Sequence, residues 1–123
     1  IYGSQTLQDI EDLCFETARQ HDFKIDFKQS NHEGELVGWI QDALDVVDGI
    51  IINAAAYTHT SVAIHDALKL HACPLMEVHL SDPETREAFR HQSFVKPTAT
   101  AVFAGHGAKS YTLAIEKLSS LLR

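Results

Sequence analysis

Hydrophobic side chains recur along this chain with two alternating periods. Between Thr6 and Arg19 the residues Leu7, Ile10, Leu13, Cys14 and Ala18 fall three or four apart, which predicts a helix with one buried face. Ser4 or Thr6 can cap its start, with Asp9 in the first turn. The period then drops to two. Phe23, Ile25 and Phe27 alternate with Lys24, Asp26 and Lys28, predicting a half-exposed strand whose outward charges suit a sheet edge. Ser30 followed by Glu33 has the form of a capping box. The helix it would open carries Leu36, Ile40, Ala43, Leu44 and Val47 on one face and closes at Asp48-Gly49.

Ile50-Ile51-Ile52 is a continuous apolar run, the pattern of a buried parallel strand. A helix starting near Thr58 to Ser61 is expected to bury Val62, Ile64, Ala67 and Leu68. Pro74 opens the next strand, Leu75 to Val78, at a position where a missing N–H costs little. Glu84 to His91 is polar and reads as a short helical turn, and Ala99 to Ala104 reads as a further strand. Tyr111, Ala114, Ile115, Leu118 and Leu121 line one face of a last helix.

Strands alternating with helices predict a parallel sheet covered on both faces, an α/β flavodoxin-like doubly wound sandwich of three layers. Such a sheet normally begins with a strand that lies in its middle, and that first strand is missing from these residues. Its absence would leave two apolar edges exposed. The whole chain, 1–123, is read as one domain.

Composition narrows the function. A net charge of -7 and no basic stripe give no footprint for nucleic acid. No apolar run reaches the length of a membrane span, and no secretory signal pattern is present, so a cytoplasmic protein is expected. Cys14 and Cys73 read as small buried hydrophobes in a reducing compartment. Eight histidines invite a metal, yet there is no HExxH and no Cys/His set with zinc spacing, so no metal site is expected. Gly105-His106-Gly107-Ala108-Lys109-Ser110 lacks both glycines of a phosphate loop and reads as a structural turn. GxSxG is missing, and Asn53 stands where a phosphoacceptor strand would end in Asp.

Acid–base chemistry is what is left. Glu77 and His79, two apart on a strand, share one face, and a carboxylate beside an imidazole suits a general acid. A histidine hydrogen-bonded to a structural glutamate has the same spacing, and both readings stay open. Thr58-His59-Thr60-Ser61 at a helix start suits a polar ligand or a plain cap. Arg86 and Arg90, one turn apart, suit a shared ligand or ion pairs with Glu84 and Glu87.

In order and spacing, several of these pieces together resemble the type II 3-dehydroquinate dehydratases. They are Tyr2-Gly3, Gln29-Ser30-Asn31-His32-Glu33-Gly34, Ile52-Asn53, Tyr57-Thr58-His59-Thr60-Ser61, Glu77-Val78-His79-Leu80-Ser81 and Arg86 through Phe89-Arg90-His91-Gln92-Ser93. The resemblance implies loss of water from 3-dehydroquinate with no metal and no cofactor. It implies Tyr2 as the tyrosinate base, His79 as the acid and Glu77 as its orienting partner. Asn53 and the Leu80-Ser81 backbone match positions that hold the substrate carboxylate and nearby groups, while His59 and Arg90 match contacts to ring hydroxyls. Asp66 matches a residue reaching a neighbouring subunit's site, in trimers that assemble to a dodecamer. Lowering a tyrosine from its reference pKa of about 10 by roughly 2 to 3 units takes about 3 to 4 kcal/mol. The family draws part of this from a lid arginine that is not among these residues, and Arg86 matches a second candidate cation. A non-catalytic relative that kept the pocket, or an unrelated flavodoxin-like binding domain, are the competing readings.

Overall fold

The computed structural model describes residues 5–123. Among the described residues four α-helices and three strands follow one another: α1 (Leu7–Gln20), α2 (Glu33–Asp42), β1 (Ile50–Ile52), α3 (Val62–Lys69), β2 (Leu75–His79), β3 (Ala101–Ala104) and α4 (Lys109–Leu122). The sheet runs β1-β2-β3 and is parallel throughout, with Ile51 opposite Met76 and Glu77 opposite Val102. The two faces are covered separately. Ile50, Ile52 and Leu75 pack with Ile40, Ile64 and Leu68 of α2 and α3. On the other face Met76 and Val78 meet Ala114 and Leu118 of α4, and Ile51 meets Ile10 and Cys14 of α1. This is the doubly wound sandwich that the alternation predicts.

Local signals explain most element starts. Thr6 and Asp9 form a reciprocal capping box on α1, the Thr6 hydroxyl accepting from the Asp9 N–H at 3.1 Å and the Asp9 carboxylate from the Thr6 N–H at 3.0 Å. Ser61 caps α3 by accepting from the Ile64 N–H at 2.9 Å, which turns Ile64 fully inward. The glycine turn before α4 is structural: Gly105 sits at φ +82° and Gly107 at +57°, and Gly107 donates to the Leu80 carbonyl at 2.9 Å.

Five expectations need correcting. Phe23 to Lys28 keeps its alternation, with Phe23, Ile25 and Phe27 half-buried and the charged residues out, but among the described residues no strand lies beside it and no ladder forms. An apolar trench of about 1240 Å³ separates it from β1, floored by Ile10, Cys14, Tyr111 and Ile115. Ser30 is not the cap of α2. His32 holds that position without a side-chain bond, and Ser30 instead accepts from the His32 N–H at 3.0 Å. The same helix stops at Asp42, short of Val47, because Asp45 turns at φ +61°, and Leu44 and Val46 are exposed. Val62, the first residue of α3, points outward, as does Leu121 in a helix that at about 1.5 Å per residue outruns the short strands beneath it. Cys14 is buried as expected, whereas Cys73 is only half-buried.

Candidate active site

The carboxyl ends of β1 and β2 carry the candidate residues, which is where open α/β sheets place their ligands. β2 is the central strand and every residue of it is buried. Its last three positions bring Glu77 and His79 together on the α2/α3 side, with His79 Nε2 2.6 Å from Glu77 Oε2. The carboxylate accepts, so the bonded nitrogen carries the proton, and Nδ1 makes no hydrogen bond among the described residues. Ser93 donates to the same Glu77 oxygen at 2.8 Å. Glu77 Oε1 is buried and has no partner among the described residues. A buried carboxylate with two hydrogen bonds on one oxygen and none on the other is costly to keep, and a buried polar atom without a partner calls for a reason.

His59 ends a 3₁₀ turn, Ala55–His59, that leads from β1 into α3. Its Nδ1–H donates to the Gln92 carbonyl at 2.7 Å, which leaves Nε2 as the acceptor in the neutral ring. Thr58 is buried behind it, and its carbonyl takes the Phe94 N–H at 2.8 Å. The hydroxyls of Thr58 and Ser61 are therefore inside the structure, and Ser61 serves as a cap.

Asn53 leaves β1 on the opposite face. Its carbonyl oxygen accepts from the Ala55 N–H at 3.0 Å and its amide donates to the Tyr111 hydroxyl at 3.1 Å. Burial pushes the Tyr111 phenol above its ordinary value, with the Asn53 bond opposing. Ala55, at φ +51°, is a strained residue in the three-alanine turn. Asn53 and the Glu77–His79 pair thus start from opposite faces of the sheet.

Arg86 and Arg90 both lie beside Glu87. Arg90 Nε lies 2.9 Å and Arg86 Nε 3.9 Å from Glu87 Oε1. The Glu87 carboxyl is held below its usual range, first by its own backbone bond and then by Arg90. Leu80 and Ser81 follow β2 directly and are half-buried. Asp66 is exposed on α3 and makes no side-chain hydrogen bond among the described residues. Tyr2 lies outside the described residues. Ser93 is the residue the spacing did not single out for a role: it is sixteen positions from Glu77 and nothing local links them.

Among the described residues no three His, Cys, Asp or Glu side chains gather as a metal would need, and no helix is long and apolar enough to cross a membrane. Residues 1–119 match the family described as Dehydroquinase class II. The chain is 50% identical over 121 residues to a 3-dehydroquinate dehydratase of Rhizobium meliloti (strain 1021), covering 98% of this chain and 82% of that one. It is 50% identical over 123 residues to the enzyme of the same name from Phenylobacterium zucineum (strain HLK1), covering all of this chain and 85% of that one. Among solved structures it is similar to the type II dehydroquinase of Propionibacterium acnes, with a TM-score of 0.91 and 36% identity, covering 95% of this chain and 86% of that one. The type II dehydroquinase of Butyrivibrio crossotus DSM 2876 superposes with a TM-score of 0.92 at 38% identity, covering 96% and 83%. With its sheet, its strand-end chemistry and its relatives in agreement, this chain belongs to the class II dehydroquinase family.

Proposed function

We propose that the chain is a 3-dehydroquinate dehydratase, a hydro-lyase that converts 3-dehydroquinate to 3-dehydroshikimate and water. The observation that carries this is the buried Glu77–His79 pair at the end of the central strand of a class II dehydroquinase chain. The reaction removes a proton from the carbon α to the ketone, forms an enolate, and then breaks the bond to the hydroxyl leaving group. Tyr2, as tyrosinate, takes the proton. His79 gives one to the departing hydroxyl through Nδ1, while Glu77 holds Nε2 and balances the ring's charge. Electrons from the enolate close the new double bond, so no redox partner and no metal or cofactor is needed.

The remaining residues hold the substrate. Asn53 and the Leu80-Ser81 backbone take the carboxylate and neighbouring groups, and His59 offers Nε2 to a ring hydroxyl. Arg90 bonds Glu87 through Nε, so its two terminal nitrogens can serve the ring hydroxyls, and Arg86 adds positive charge near the base. Asp66 reaches a neighbouring subunit's site, which fits an exposed carboxylate with no partner of its own among the described residues. Residues 1–123 form one domain, working in trimers that assemble to a dodecamer within the cytoplasm, in the shikimate or quinate pathway.

The test follows the rise of enone absorbance when 3-dehydroquinate is added. His79→Ala and Tyr2→Phe should each lower kcat by about 10²- to 10⁴-fold, the usual worth of a positioned acid or base. Full activity in Tyr2→Phe removes the proposed base, and loss of activity on adding a chelator removes the metal-free mechanism.

A further inference from the structure

We propose that Ser93 is a positioning residue for the acid, acting through Glu77; this rests on the dehydratase reading above. Its hydroxyl oxygen accepts from the Val95 N–H at 3.2 Å and the Lys96 N–H at 2.9 Å. With both lone pairs taken, its single proton has one destination, and Glu77 Oε2 stands there at 2.8 Å. The same oxygen takes the His79 Nε2–H at 2.6 Å, while Oε1 has no partner among the described residues. Ser93 therefore selects which carboxylate oxygen faces the imidazole.

The hydroxyl is itself held from both sides. Gln92 accepts from His59, Phe94 donates to the Thr58 carbonyl and accepts from His65 Nδ1 at 2.7 Å, and Val95 is fully buried. The segment from Gln92 to Val95 is a strap laid across the start of α3 and the end of β2. A donor fixed this way loses little further freedom on bonding a carboxylate, and hydrogen bonds to charged groups are the strong ones. Without it, Glu77 keeps only the bond to His79. The pair is then free to swing as a unit, and the ring loses its anchor to the frame.

Ser93→Ala is expected to lower kcat about 10- to 100-fold, the range seen when an orienting partner of a reactive group is removed. KM should stay within about twofold, since no substrate group is lost. Ser93→Thr, which retains the hydroxyl, should recover most of kcat. The second measurement needs no turnover: at a pH where the ring is neutral, ¹⁵N shifts of labelled His79 should report one tautomer, Nε2–H, in the wild type and a mixture in Ser93→Ala. If the wild type does not dehydrate 3-dehydroquinate, the function fails while the His79 signature still decides the role of Ser93. An unchanged signature in Ser93→Ala overturns the proposal. So does equal loss of kcat and of thermal midpoint in the Ala and Thr variants, which would mark a packing role.

Discussion

Cys14 is buried under α4, and burial, with Glu11 adding to it, pushes its thiol from 9.0 up to about 11. A pKa raised on folding favours the protonated form in the native state. The contribution is complete below pH 9, the unfolded value, and is lost as pH climbs towards about 11. Stability measured by denaturant titration should therefore fall across that window, and Cys14→Ala should flatten the fall. Tyr111, raised in the same direction, adds to the decline above its ordinary value. Single positions also show what side-chain spacing can convey. The Glu77–His79 contact was readable because strand residues two apart share a face, and that needs no knowledge of the rest of the chain. Ser93 reaches Glu77 only because a long irregular segment doubles back, and no local period encodes such a path. Arg86 and Arg90 both lie beside Glu87, an ion pairing that their spacing already allowed and that leaves the terminal nitrogens of Arg90 out of the pair.

Helix starts were readable when the cap is local and failed when the chain had another use for it. Of the two candidate caps for α1, Thr6 takes the position, and Asp9 completes a box with it. Thr6→Ala should cost about 1 kcal/mol, the usual worth of an N-cap, checked by the shift in denaturation midpoint. The Ser30–Glu33 pair has the same spacing, yet Ser30 is drawn into a turn with His32, whose N–H it bonds. Phe23 to Lys28 teaches a related lesson. Alternation records which side of a segment meets the core, and the structure keeps it. Hydrogen-bonded pairing needs a neighbour at strand distance, and among the described residues none lies there.

Taken as a molecule, the sandwich depends on one strand buried on both sides. Ile64 packs fully buried under that strand's α3 face, in the cluster with Leu75 and Val95. Ile64→Ala should cost about 2 to 5 kcal/mol by deleting methyl groups from a site with no solvent to refill it, measured by equilibrium unfolding. The layering was readable from the alternation of periods alone, because only a parallel sheet covered on both faces absorbs it. How the two halves of the site lie was not, since it depends on Asn53 and Glu77 leaving neighbouring strands on opposite faces.

That alternation across β2 has a further effect. Leu75 faces the α2/α3 cluster and Met76 and Val78 face α4, so Glu77 and His79 hold the one side where polar partners wait. Sliding the strand by a single residue would drive an acid and an imidazole into the greasy contact with Ala114 and Leu118, and put methionine and valine where Ser93 donates. A misregistered sheet is thus strongly disfavoured. The two side chains proposed for proton transfer also proofread the assembly of the sheet that holds them.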